Sequence, residues 1–544
     1  MKGNIHTHFG AILIFCVFLA FSSCKEEPTI IEKPSPELLQ FSLSAEKNPL
    51  QIVYTANGSI DDSSVTVRVE NILSSYVLTP TIRFKGDSVT IANIRMDNVD
   101  HAFDFSEPQQ LIVHRGKLRK EYIVSVLSYN GLPIVWIETE QREDIVSRDE
   151  YLTADFRLDD ISTKVNIIGR GNSTWEASPK KPYTLKFDEK RSLLTMPEDK
   201  SWVLLANFFD KTSLRNATAF YLSRLSQLDY TSRAEFIDLM LNGRYNGTYQ
   251  LTEKIKIGKN RVNIGNGYLL EIDAKYDEND SIVCTQHLIH PVNIKEPDNP
   301  SAGDVAYVRD YLTRFETVLY SDYFTDADSG WTAYMDLESA VDWYLVQEIA
   351  KNTDGAFFSS CYMTLAKGGK LQMGPVWDFD IAFGNVNYNN NWNPEGLFIN
   401  GATWYSRLFQ DPVFVAHVKQ RYDYFYLHKY DIIAYINIMA NKLRYSVEEN
   451  EKRWGVFYTP TWPNYDIWGS YQNEVQSLKE WINRRMDWLK TEFDDLSAGM
   501  TKYHRDRTTD TLNQRTVPCT SQKIWSIQKK AVTLRRESTK QILL

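Results

Sequence analysis

At 544 residues the chain is too long for one hydrophobic core and has room for two or three domains. Its formal net charge of −9 argues against nucleic acid as a partner, since such binders carry a strongly basic face. Of five cysteines, Cys16 and Cys24 fall near the N-terminus, and Cys284, Cys361 and Cys519, an odd number with wide gaps, make neither a disulfide framework nor a metal-binding spacing; 14 Trp with 31 Tyr suit a large packed domain or a carbohydrate-facing one.

Lys2 gives a positive start, and Ala11 to Phe21 is an apolar run ending at Ser22-Ser23-Cys24. A run of about eleven residues fits a signal peptide and falls short of the roughly 20 that a membrane span needs. The expected signal peptide is 1–23. Cys24 after small residues resembles a bacterial lipobox, with Phe21 where Leu or Ala is usual. Cys24 is therefore the expected lipidation site. Lys25-Glu26-Glu27 resembles the acidic surface-export signal of Bacteroidetes lipoproteins. Together these predict a chain lipid-anchored at the outer membrane or cell surface. Residues 24–38, with three prolines, read as an extended tether.

Residues 39–130 read as strands. Gln51 to Tyr54 leads to an Asn57-Gly58 turn signal, Ser64 to Val69 alternates, and Leu118 to Val126 closes the block. The expectation is a small all-β domain, an Ig-like sandwich acting as spacer or binding module.

A second domain, 131–498, opens at Leu132. Gly169-Arg170-Gly171-Asn172-Ser173-Thr174-Trp175 is a polar turn whose amides can approach phosphate closely. Lys180-Lys181-Pro182-Tyr183-Thr184-Leu185-Lys186-Phe187 follows, with Tyr183, Leu185 and Phe187 on one strand face and Lys186 on the other. A strand lysine beside a glycine turn suits nucleotide phosphates; Lys186 and Lys181 are rival ligands. Asp210 or Thr212 caps a helix running to about Leu225, where Asp210 and Arg215 are read as a structural pair. Asn242-Gly243 and Asn246-Gly247 signal turns in a hairpin ending at Glu253. Residues 275–303 are polar and read as an insertion. Helical periods cover Val305–Tyr320 and Leu337–Lys351, the second with an apolar stripe, and recur over Val413–Glu449 and Glu474–Leu496.

The central stretch is Asn352 to Asn385. Asp354 precedes an alternating run, Cys361, Met363 and Leu365; a Lys-Gly-Gly-Lys turn follows, then Leu371 and Met373, then Trp377-Asp378-Phe379-Asp380. A hairpin there returns Asp378 and Asp380 to the base that carries Asp354. Carboxylates held close repel and must bind a cation or share a proton. Asp oxygens suit Mg²⁺, and an unliganded acid can serve as base toward a hydroxyl. Asn385 to Gly401 reads as a loop over the mouth of the site. Residues 499–544 turn basic without sustained period and read as a disordered tail.

Five of these motifs, in order, resemble the CotH-type spore-coat protein kinase family from about Leu132 to Leu496. They are R-G-N-S-T-W with K-K-P-Y-T-L-K-F, W-V-L-L-A-N-F-F-D-K-T-S-L-R-N, L-N-G-R-Y-N-G-T-Y-Q-L-T-E, N-T-D, and G-P-V-W-D-F-D-I-A-F-G. The resemblance implies an α+β fold, an atypical kinase-like two-lobed domain using ATP with Mg²⁺ or Mn²⁺ on a protein hydroxyl. It implies Asp354 as base and Asp378 as metal ligand, with Asp380 as second ligand or support. Arg170, Ser173, Lys181 and Lys186 would meet phosphate, and Glu253 would sit at the adenine. Ser359 stands where an Asn metal ligand is usual, and a hydroxyl is the poorer ligand. The alternatives are a weak or inactive relative serving as structural or glycan- or protein-binding surface component, and a carbohydrate-active enzyme with paired carboxylates.

Overall fold

The computed structural model describes residues 35–52, 54–69, 73, 75–96, 100–128, 131–276 and 280–496. The expected signal peptide, Cys24 and the basic tail lie outside the described residues. The chain is a mixed α+β protein with a β-rich N-terminal region.

That region comprises β1 (Glu37–Leu43), β2 (Ala56–Ile60), β3 (Ser64–Arg68), β4 (Val77–Leu78), β5 (Thr81–Lys85), β6 (Ser88–Ile91), β7 (Ile94–Arg95), β8 (Phe103–Asp104), β9 (Gln109–Arg115) and β10 (Leu118–Leu127). Eight strands pair in the order β5-β1-β2-β3-β10-β9-β6-β7, and β4 pairs with β8. Alternation decides which faces bury: Val65 and Val67 of β3 join Tyr122, Val124 and Val126 of β10 around Phe41 and Leu43. β1 begins inside the span expected for the tether. Asn57-Gly58 lies within β2 rather than at a turn. A Cβ on Gly58 would meet Val65 Cγ1 at 2.8 Å and the Phe41 carbonyl oxygen at 3.0 Å, so this glycine permits close strand approach.

Next, β11 (Ile134–Thr139), β12 (Leu152–Leu158), β13 (Ile161–Gly169), β14 (Tyr183–Leu193), β15 (Met196–Leu205), β16 (Ala234–Leu241) and β17 (Arg244–Glu253) close into a barrel. Parallel pairing of β11 with β16, Ile134 opposite Asp238, makes the closure. Tyr183, Leu185 and Phe187 point into the barrel core beside Trp202 and Leu251, as their alternation predicts. Asn242 and Gly243, at φ 52° and 76°, make the β16–β17 turn. Asn246-Gly247 is not a second turn but lies in β17 at a register shift, with Gly247 at φ 106°. Two helices belong to this half: α1 (Ser173–Ala177) after β13 and α2 (Arg215–Leu225) after β15.

A second sheet has the order β19-β20-β18-β21-β22, from β18 (Tyr268–Ile272), β19 (Ile282–Val283), β20 (Val292–Glu296), β21 (Cys361–Leu365) and β22 (Leu371–Met373). Residues 275–303 are thus no mere insertion. Val292 and Ile294 of β20 are buried, and that burial recruits the segment to the sheet. Around the sheet pack α3 (Ala302–Leu319), α4 (Leu337–Ala350), α5 (Thr403–Leu408), α6 (Pro412–Leu427), α7 (Lys429–Trp454) and α8 (Tyr471–Asp494). The stripe expected on α4 understates it, because every residue from Ser339 to Ala350 is buried. Its acids are neutralised in place: Asp342 by Arg421 at 2.8 Å and Glu348 by Arg485 at 2.6 Å.

The β-rich region meets the barrel through a buried ion pair. Arg68 and Asp238 are 1% and 0% exposed and bond each other. Asp238 also accepts from the hydroxyls of Tyr245 (2.9 Å), Thr248 (2.9 Å) and Ser446 (3.0 Å). Removing one partner of such a pair strands a charge away from water. Asp238→Asn should cost about 3–5 kcal/mol in denaturant unfolding, and Arg68→Met with Asp238→Leu together should recover much of it. A cost below about 1 kcal/mol for the single change would show that water reaches the pair.

Candidate active site

A cavity of about 1780 Å³ lies where the barrel meets the helical half. Four segments wall it: Arg170 to Thr174 after β13, Asp273 and Lys275 after β18, Asp354 and Ser359 after α4, and Trp377, Asp378 and Asp380 after β22. The Asn-rich loop, with Asn387 to Asn391, covers one side as expected.

Each wall is built locally. Gly169 lets the Trp175 ring lie against the strand end, because a Cβ there would fall 2.2 Å from the ring. Gly171, at φ 83°, turns the chain into α1. α4 stops where Lys351 adopts φ 44° and ψ 48°. Lys351 Nζ donates to the carbonyls of Asn390 (3.2 Å), Asn393 (2.9 Å) and Glu395 (2.5 Å), so the covering loop is tied to that helix end. In the turn beyond, the Asp354 carbonyl accepts the N–H groups of Phe358 (3.0 Å) and Ser359 (3.3 Å).

The β21–β22 hairpin brings the chain back, and Asp354, Asp378 and Asp380 share the cavity. Their carboxyls act on each other. Burial, then the charges of Asp378 and Asp273, push Asp354 up to about 7. Burial, then Asp378, Asp210 and Asp354, push Asp380 well above the usual carboxylate range. Asp378 is also raised by burial, with the Arg170 guanidinium pulling the other way.

Three asparagines clamp the acidic segment by its backbone. Asn352 Nδ2 donates to the Asp378 carbonyl at 3.4 Å, the Phe379 N–H donates to Asn216 Oδ1 at 2.8 Å, and Asn385 Nδ2 donates to the Asp380 carbonyl at 2.7 Å. The clamp holds Asp378 at φ 66°, a conformation that disfavours a side chain. Asp210 and Arg215, 2.6 Å apart, form the structural pair expected of them.

Of the residues singled out from the sequence, Arg170, Ser173, Ser359, Asp354, Asp378 and Asp380 line the cavity. Arg170 lies over the Trp377 ring at 5.5 Å, and Ser173 Oγ accepts from Lys275 Nζ at 2.7 Å. Lys186, Lys181 and Glu253 do not line it. Strand alternation turns Lys186 to the exposed outer face of β14, near Tyr151. Lys181 Nζ donates to the Trp175 carbonyl. Glu253 is fully buried and spent on Arg261 (2.7 Å), Arg233 (2.7 Å) and the Tyr230 hydroxyl (2.8 Å). The buried lysine of this stretch is Lys180, whose Nζ donates to Asn450 Oδ1 at 2.9 Å and which burial lowers to about 7.

Sequence reading missed Glu271, Asp273, Lys275 and Lys295, which line the same cavity. Asp273 Oδ1 accepts the Ser359 hydroxyl at 2.9 Å and the Lys275 N–H at 2.8 Å. Glu271 is raised to about 7 by burial, against the pull of Lys295. The acid pair in Leu-Leu-Glu-Ile-Asp at a strand end was the available signal.

Among the described residues no three His, Cys, Asp or Glu side chains converge tightly enough to cage a metal by themselves. Mg²⁺ commonly takes one or two carboxylates and fills its shell with phosphate and water. The hard oxygens of Asp378 and Asp380 fit that donor set.

Residues 167–489, more than half of the chain, match the protein family described as CotH kinase protein. No curated protein matches the chain. A solved chain from Bacteroides thetaiotaomicron, provisionally described as a glycoside hydrolase, is 18% identical over 32% of this chain and 53% of its own, with a TM-score of 0.16. The match thus spans about half of that chain's length.

Carboxyls raised in the folded state keep protons that the unfolded chain has released. Stability of the ligand-free protein should therefore fall as pH rises from the ordinary Asp value of 3.8 to about 7. Asp354→Asn should flatten that fall and raise stability at neutral pH by about 1–3 kcal/mol. Denaturant midpoints across pH check this; a variant no more stable than the parent refutes it.

Proposed function

The chain belongs to the CotH kinase family, whose domain implies a phosphotransferase, and from that premise we propose that the cleft moves the γ-phosphoryl group of ATP to a protein Ser or Thr hydroxyl. One observation carries the reading: Asp354, Asp378, Asp380 and Asp273 share a single cavity with Arg170. The barrel and the helical half are then the two lobes of an atypical kinase.

In this reading the Asp354 carboxylate takes the proton of the acceptor hydroxyl as that oxygen bonds to the γ-phosphorus. The bond to the bridging oxygen breaks, and ADP leaves. A base with its pKa near 7 is matched to that task at neutral pH. Arg170, and Lys275 beside Ser173, face the phosphate charge. Asp378 and Asp380 would hold Mg²⁺ or Mn²⁺, which when bound neutralises charge on the phosphates. The Ser359 hydroxyl donates to Asp273, so the Asp273 carboxylate would stand in for it should a second ion bind on that side.

The same proposal places the protein at the outer membrane or cell surface, anchored through lipid on Cys24, with the N-terminal strands as an Ig-like spacer.

Asp354→Asn should lower autophosphorylation by about 100-fold or more while nucleotide still binds. Asp378→Asn should abolish the Mg²⁺-dependent part of nucleotide binding in calorimetry. Transfer at the parent's rate by the Asp354 variant would remove it as base, and no nucleotide binding by the unaltered protein with either metal would end the kinase reading.

A further inference from the structure

Beside the cleft stands an aromatic ledge that phosphoryl transfer does not need. The loop joining α7 and α8 exposes Tyr458 (73%), Trp462 (66%), Tyr465 (50%) and Trp468 (46%). Trp462 and Trp468 are the only tryptophans counted as exposed among the described residues, whereas Trp202, Trp331, Trp343 and Trp404 are fully buried. Leaving large rings in water is costly, and a group of them marks a binding surface.

The ledge is held rigid. Trp462 stacks on Tyr388 with centroids 6.2 Å apart, and Tyr465 stacks on Trp392 at 5.2 Å and 1°. The Asn387 N–H donates to the Pro463 carbonyl at 2.9 Å, and Trp481 Nε1 donates to the Trp392 carbonyl at 2.7 Å. Two loops thus present flat rings whose order is set before any ligand arrives, which lowers the entropy cost of binding.

The ledge is continuous with the cleft, since Trp462 and Tyr388 both line it. Asp354 and Asp380 act on the Tyr388 hydroxyl, which burial and those charges raise to about 12. Next to the rings the wall is amide: Asn387, Asn389 and Asn390. Flat apolar faces flanked by neutral donor–acceptor amides complement a ring that is apolar on one face and rimmed by hydroxyls. A membrane surface is disfavoured by the exposed acids Glu395 and Asp466 and by the net charge of −9. An anionic ligand is disfavoured on the same ground.

We propose that this ledge is a subsite for a neutral hexose chain, and that the chain it holds is a glycan carried by the phosphate acceptor. The binding stands on the ledge alone; its link to acceptor choice rests on the phosphotransfer reading.

The test uses the purified protein, with cellohexaose, maltohexaose and mannohexaose as probes. At least one should bind with a dissociation constant of about 1 mM or tighter and quench tryptophan fluorescence. Trp462→Ala should weaken that binding by about tenfold or more. Tyr465→Ala is the second variant should the first not fold, and a thermal melt decides which is read. No binding of any of the three by the unaltered protein overturns the proposal, and so does binding that survives both substitutions. Mg²⁺-dependent nucleotide binding by the unaltered protein is read in parallel. Its loss with sugar binding intact sinks the kinase reading alone, and the converse sinks the ledge alone.

Discussion

Like charges drawn together out of water are the constraint on which the cleft between the barrel and the helices turns. Asp273, Asp354, Asp378 and Asp380 line one cavity; burial raises each of them, and the charges of neighbouring acids push Asp354, Asp378 and Asp380 further. Two unit charges about 4 Å apart near a protein surface repel by roughly 4 kcal/mol. Backbone freedom would relieve this by swinging a carboxylate into solvent. The asparagine clamp on residues 378 to 380 denies it that freedom. Arg215 adds a further tie, since its Nε donates to the Ala382 carbonyl at 3.1 Å while its Nη1 neutralises Asp210. The site is kept strained by neutral joints and released by a cation or a proton.

Such strain needs a stiff base, and α4 supplies it. A helix buried on all sides cannot tilt without opening the core. Glu348 shows how packing and function meet. Its carboxylate takes Arg485 from α8 and also the N–H groups of Phe398 and Ile399, both at 2.8 Å. The loop over the cavity is thereby fixed to the helix that delivers Asp354. The barrel has its own core and approaches from the other side, fastened to α7 by Lys180 with Asn450 and by Trp454 Nε1 on the Asn246 carbonyl at 3.0 Å. Val203 and Phe236 on the barrel's outer side join α2 in the larger core, so the two halves are packed together around the cleft.

What could be read from the sequence was what local periodicity controls. The 361–373 hairpin, the inward face of β14, the Asn242-Gly243 turn and the main helices follow from alternation, turn chemistry and helical spacing. Non-local pairing was not legible. Nothing local announces that β11 runs parallel to β16 and closes a barrel, or that residues 282–296 reach back to pair with β18. The site errors have the same origin. Alternation already set Lys186 on the face opposite Tyr183 and Leu185, but not which face the cavity would adjoin; Glu253 is taken by Arg261 and Arg233, and Asp273 enters the cavity only because β18 pairs with β21. Asn57-Gly58 and Asn246-Gly247 carry turn composition, yet close packing, not turning, is what their glycines allow.

The abundance of asparagine around the cleft then has a physical reason. The Phe209 carbonyl accepts from Asn385 Nδ2 at 2.8 Å and from Asn464 Nδ2 at 2.7 Å, and Asn464 Nδ2 also reaches Asn385 Oδ1 at 3.1 Å. Asn385 belongs to the acidic segment, Asn464 to the aromatic loop, and Phe209 to the entry of α2. Three distant stretches meet at one carbonyl. A joint placed among buried carboxylates has to donate and accept without charge. Aspartate there would add to the repulsion, and lysine would pair with the carboxylates and quench their charge. The amide is the side chain that can hold such segments together and leave the field of the acids unaltered.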